Sequence, residues 1–159
     1  MFNSQINTSV VRAITLCLAF FSFAATAEVT RIEVTEQHTI EAQGAGFSYE
    51  SISGVAYFAI DPAQNANKEI ADIQFAPINA RGLVEFAADF RILVPSSDIA
   101  NGGLLYNVNN RGGSRFPPEI GLDHPLSGLG FTYLATGWIN ELTSAEGRLR
   151  LHAPIVQDG

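Results

Sequence analysis

Short runs rich in β-branched and aromatic residues, each stopped by proline or glycine, recur along this sequence, and they constrain its fold more than any other feature. Such runs read as strands when apolar residues alternate or cluster over a few positions. Thr30–His38 (TRIEVTEQH) places Ile32 and Val34 on one face and Arg31, Glu33 and Thr35 on the other. A glycine-rich turn at 43–46 follows, and then Ser51–Ile60, a strongly apolar run that stops at Asp61-Pro62. Proline brings no backbone N–H and pushes the preceding residue out of helical geometry. Residues 61–68 read as a polar turn, Ile70–Phe75 as a third strand, and Asn79–Gly82 as a turn in which Gly82 takes positive φ. Leu83–Val94 fits a helix or a long strand in which Val84, Phe86 and Ala88 share a face; Pro95 leaves little room for a helix cap, which favours strand. Leu104–Val108 lies between two glycine pairs, and Phe131–Ile139 is aromatic and β-branched. Arg148–Val156 alternates, with Leu149 and Leu151 inward and Arg148, Arg150 and His152 outward. The sum is seven strand candidates and no convincing amphipathic helix, a β-rich chain.

The N-terminus reads differently. A polar stretch ending in Arg12 leads into the apolar run Ala13–Ala25 and the small-residue exit Ala25-Thr26-Ala27. These are the three parts of a secretory signal peptide, and the run is shorter than the ~20 residues a membrane span needs. Cleavage after Ala27 is therefore expected, leaving one domain over 28–159, exported to the periplasm or beyond the cell, with no stable membrane anchor. Cys17, the single cysteine, sits inside the apolar run, and Ile14-Thr15-Leu16 before it lacks the small residues of a lipidation site. The mature domain would have no disulfide and would depend on its core. Nine basic against sixteen acidic residues, with Lys68 the one lysine, argue against nucleic-acid binding.

Catalytic motifs are scarce. No GxSxG occurs; Gly112-Gly113-Ser114 and Ser127-Gly128 are the nearest strings. GxGxxG, phosphate-loop and HExxH patterns are absent, and His38, His124 and His152 have no metal-ligand spacing. No metal or cofactor is expected. His38 and His152 read as solvent-facing strand residues, and Asp123-His124 as loop residues. Asp61, Asn65, Asn67 and Glu69 supply oxygen ligands without EF-hand spacing or its glycine, so a hairpin turn is the better reading. Arg111 and Arg115 flank a glycine pair whose N–H groups could form an anion nest, although a plain turn suffices.

The order of the strings has a further meaning. Phe47–Pro62, Ile73–Gly82, Val84–Pro95, Leu104–Gly112, Gly130–Trp138 and Gly147–Pro154 (FSYESISGVAYFAIDP, IQFAPINARG, VEFAADFRILVP, LLYNVNNRG, GFTYLATGW, GRLRLHAP) together resemble a bacterial family of exported α/β-hydrolase-domain proteins. The resemblance implies an α/β fold: a mostly parallel sheet entered through antiparallel N-terminal strands. It makes Leu104–Val108 a central strand and Phe131–Ile139 its parallel neighbour. It also makes Asn109, Asn110, Arg111, Gly112 and Gly113 the oxyanion-side loop of an ester-cleaving serine hydrolase. The connection 109–130 departs from the pattern, because Pro117, Pro118, Pro125 and five glycines suit a flanking helix poorly. No catalytic residue of the family carries over, since its nucleophile, acid and histidine would follow residue 159.

Three functions follow as expectations. The first is an inactive N-terminal portion of an exported α/β-hydrolase, which would take a small-molecule ester only once completed and could self-associate through an open sheet edge. The second is a free-standing exported β-rich binding module. The third, a small esterase using Ser114 with His124, has the least behind it.

Overall fold

The computed structural model describes residues 27–41, 47–121, 124–143 and 147–155. The apolar leader with Cys17, the turn at 43–46, Asp123 and residues 156–159 lie outside the described residues. No described helix is long and apolar enough to cross a membrane. Six strands form one mixed sheet: β1 (Glu28–Glu41), β2 (Ser48–Ile60), β3 (Val84–Pro95), β4 (Leu104–Asn107), β5 (Thr132–Thr136) and β6 (Leu151–His152). Their order is β1-β2-β3-β5-β4, with β6 beside β3. The first three strands and β5 pair antiparallel, whereas β4 and β5 are parallel, with Leu104 opposite Thr132 and Asn107 opposite Ala135.

Leu83–Val94 is a strand, as its flanks favoured. Ile70–Phe75 is not. It is a string of turns ending in a 3-10 helix at Ile73–Phe75, with Ile73 N–H donating to the Ile70 carbonyl (3.3 Å) and Ala76 N–H to that of Ile73 (3.1 Å). Ile70, Ile73 and Ala76 recur every third residue, a 3-10 period, and only Ile73 of the run is buried, against Ile60 and Val84. The described part of Arg148–Val156 also shrinks, to the two residues of β6 and an isolated bridge from Arg148 to Gly113. Among the described residues six strands therefore stand where seven were expected. The connection after β4 holds one helical turn among the described residues, α1 (Pro117–Ile120), so the flanking helix implied by the α/β resemblance is not formed there.

The two faces of the sheet differ. On one, which we call the packed face, Tyr49, Leu93, Tyr133 and Ala135 meet Phe116 and Leu149 from the loops that cover them. Tyr133 stands 5.7 Å from the Phe116 ring and 6.1 Å from the Tyr49 ring, spacings at which aromatic pairs attract. Burial holds both tyrosines in their neutral form, raising Tyr49 above its ordinary value and pushing Tyr133 up to about 12. Arg91 of β3 also points to this side. It is largely buried and fully partnered: its guanidinium grips both Glu119 carboxylate oxygens (2.8 and 3.0 Å), the Ser51 hydroxyl and the Ser114 carbonyl. Glu119 in turn accepts the Phe116 N–H (2.9 Å) at the start of α1, so one ion pair clamps the covering loop to the sheet.

The opposite, open face carries apolar side chains from every long strand. The register puts Ile32 and Val34 of β1, Ala56 and Phe58 of β2, Phe86 and Ile92 of β3, and Leu134 of β5 on this side. Ile32 and Val34 share this face by alternation, and a register shift in β1 around Thr30 brings Val29 to it as well. One end of the face is covered, where the 61–83 connection seats Ile73 on Ile60 and Val84, and Ala88 (6%) and Phe90 (7%) in the middle of β3 are buried as well. Elsewhere Ile32 (63%), Val34 (53%), Leu104 (59%) and Tyr106 (51%) are exposed.

Candidate functional site

Parallel strands leave their carboxyl ends side by side, and in open α/β sheets that is where ligands bind. Here the pair is β4 and β5, and the loop Asn109–Gly113 leaves from the end of β4. Its first residue is buried and fixes its shape. Asn109 donates its side-chain N–H to the Thr136 carbonyl at the end of β5 (2.7 Å). Its side-chain oxygen accepts the Gly112 N–H (2.9 Å), closing the loop on itself. Its carbonyl accepts the indole N–H of Trp138, two residues past β5 (2.9 Å). The ends of both parallel strands are thus tied through one asparagine.

Gly112 sits at φ +79, and a side chain there would meet the Leu149 carbonyl oxygen at 2.7 Å. The position requires glycine on both grounds. Arg111 also adopts positive φ (+50), an uncommon conformation for a residue with a side chain. Two backbone donors of the loop are already used, Gly112 on Asn109 and Gly113 on the Asn110 carbonyl (3.2 Å). The N–H groups of Asn110 and Arg111 make no hydrogen bond among the described residues, and both residues are exposed. Tyr106, Val108 and Trp138, all exposed, are apolar neighbours of the loop in the chain or through the Asn109–Trp138 bond. An arrangement of free, preorganised N–H groups beside apolar surface can stabilise an oxyanion but cannot by itself attack a carbonyl.

Ser114 and His124 do not come together as a reacting pair. Ser114 is buried and donates its hydroxyl to the Gly147 carbonyl (3.1 Å), while the His124 ring accepts the Leu126 N–H (3.2 Å). Ser127 is buried too, with its hydroxyl against the Pro117 and Gly121 carbonyls. In the 61–69 turn, Asp61 accepts the Ala63 N–H and its carbonyl accepts the Asn67 side chain, so these oxygens close the turn. Arg111 and Arg115 remain exposed beside the loop.

His152 is exposed, as expected, but it is not merely solvated. Its Nε2 lies 2.7 Å from Asp89 Oδ1, and Asp89 Oδ2 accepts the Arg150 N–H (2.8 Å). A carboxylate oriented by a backbone donor and bonded to an imidazole is two-thirds of a catalytic triad. No serine or cysteine hydroxyl or thiol is bonded to this imidazole among the described residues. The sequence did carry a signal for it: Asp89 and Arg91 are charges inside an apolar strand, and such residues need partners.

No family model matches the chain, and no curated protein or solved structure is similar to it.

Proposed function

We propose that residues 28–159 are the entrance sheet and oxyanion-side loop of an exported α/β-hydrolase-like protein of the ester-cleaving serine type. The observation that carries this reading is the parallel β4–β5 pair with the Asn109–Gly113 loop at its carboxyl end, reached through antiparallel β1, β2 and β3. The partly bare apolar face supports it, because sheets with parallel strands are covered on both sides in α/β proteins. Asn110 and Arg111 would supply oxyanion donors, and a small-molecule ester would be the substrate once a nucleophile, an acid and a histidine are added from outside these residues. The chain by itself has no nucleophile in the expected motif and is catalytically silent.

The test has two arms. The purified chain is incubated with a p-nitrophenyl ester and with a fluorophosphonate probe; no turnover and no label are expected, and labelling of Ser114 would overturn the reading in favour of a small esterase. The DNA adjoining the coding sequence is then read in all frames. A GxSxG string and a later histidine there support the hydrolase reading, and unrelated sequence removes it. A second reading, a free-standing β-rich binding module, is favoured by a cavity of about 480 Å³ between Ile60, Ile73, Val84, Phe86, Leu151 and Pro154.

A further inference from the structure

We infer that the cleft beside β4 binds a small apolar carboxylate, with Arg115 holding its charged end. This inference does not depend on the hydrolase reading. The cleft has a volume of about 340 Å³ and runs along β4 to its last residue, Asn107, at the carboxyl end of the parallel pair. That volume suits a small ligand, since small-molecule sites span about 300–1,000 Å³. Its lining is mostly apolar. Buried Phe116 and Tyr133 close the bottom, and half-buried Leu105, Pro117 and Leu126 form the sides. Ile120 lines it too and is 57% exposed, an apolar side chain that a single helical turn leaves without cover.

The walls are tied together before any ligand arrives. The Ser127 hydroxyl lies 2.8 Å from the Pro117 carbonyl and 2.6 Å from that of Gly121, which fastens the 124–127 segment to α1. The Tyr133 hydroxyl donates to the Leu126 carbonyl (2.6 Å). These bonds also use up polar groups around the cleft, and the groups left over are a cation and a donor. Arg115 is exposed and makes no hydrogen bond or ion pair among the described residues, whereas Arg31, Arg81 and Arg91 are paired with Glu33, Glu28 and Glu119. His124 accepts the Leu126 N–H on Nδ1 (3.2 Å), so its neutral ring carries the proton on Nε2 and donates from there. No described lining residue is acidic, and Glu119 of α1 has both carboxylate oxygens on Arg91. In a chain of net charge −7, an unpaired guanidinium beside an apolar cleft selects an anion. One fixed cation matches one negative charge, and the guanidinium fork fits the two oxygens of a carboxylate.

The test is an NMR titration of the isotope-labelled full chain with phenylacetate and with its uncharged amide, phenylacetamide. Phenylacetate is expected to saturate with a Kd of about 1 mM or tighter, with the shifts gathered at the Leu105, Ile120 and Leu126 amides. Phenylacetamide should bind about tenfold more weakly, the value of one charge-assisted hydrogen bond. Arg115→Gln should cost phenylacetate the same factor and leave phenylacetamide unchanged, whereas Ile120→Ser should weaken both. Circular dichroism and urea midpoints check folding. If Arg115→Gln fails to fold, Arg115→Lys, which keeps the charge and loses the fork, should still weaken phenylacetate by about threefold. No saturation by about 10 mM phenylacetate overturns the proposal. So does equal affinity for acid and amide, so do shifts gathered away from the cleft, and so does a folded Arg115 variant that binds phenylacetate as the wild type does.

Discussion

Leu93 and Ile92 are consecutive residues of β3, yet they live in different environments. Leu93 points into the packed face and is completely buried (0%), with Phe116, Tyr49 and Tyr133 around it. Ile92 points to the open face opposite Ile52 and Leu134 and is only half-buried. Both side chains are apolar, so hydrophobicity alone does not explain the difference. The packed face is closed by loops that a buried ion pair and a cap hold down; the open face has comparable apolar content and no such clamp. A sheet of this composition is made for two coverings, and these residues provide one.

The comparison can be broken most sharply at Arg91. Arg91→Ala strands Glu119 and the Ser51 hydroxyl and frees the Phe116 loop, and should lower stability by about 3–4 kcal/mol in urea unfolding. A loss under 1 kcal/mol would mean that the clamp holds nothing. Next comes the β3 pair itself. Leu93→Ala should cost about 3 kcal/mol and Ile92→Ala about 1 kcal/mol in dilute protein, and equal costs would show that the open face is covered after all.

Alkali sharpens the same contrast. Tyr133 is pushed up to about 12 and Tyr49 is raised from its ordinary 10.0, in both cases because burial penalises the phenolate. Folded values above the unfolded value mean that this stability is complete below pH about 10 and is lost as pH rises from there towards 12. Tyr133→Phe should flatten that alkaline decline. At neutral pH it should cost about 1 kcal/mol for the lost hydrogen bond to the Leu126 carbonyl. The smallest effect belongs to the half-exposed Asp89–His152 pair: His152→Ala should change stability by less than about 1 kcal/mol at pH 7.

Most strands were legible in the sequence because proline and glycine mark their ends. Leu83–Val94 was resolved by the lack of caps, and its two faces follow from simple alternation. Ile70–Phe75 misled because a short apolar run between turns has the composition of a strand while its spacing of three is that of a tight helix. The β1 face was only partly readable: alternation groups Ile32 with Val34, but Val29 joins them through a bulge that depends on pairing with β2. The site behaved similarly. Asn109–Gly113 could be singled out by its glycines, whereas the role of Asn109 as the tie between two strand ends needs Thr136 and Trp138, distant in sequence. The Arg91–Glu119 and Asp89–His152 contacts likewise join residues far apart in the chain, and no local pattern specifies which partner each charge finds.

Hydroxyl-radical footprinting with mass spectrometry, on protein dilute enough to be monomeric, compares the faces most directly, because aromatic side chains report both. Tyr106 on the open face is 51% exposed, whereas Tyr133 on the packed face is 2% exposed. Oxidation of Tyr106 should outpace that of Tyr133 by more than about tenfold, a gap that follows from the difference in accessible ring surface. Similar rates at the two tyrosines, or a protected Tyr106 in the monomer, would contradict a sheet covered on one face and bare on the other.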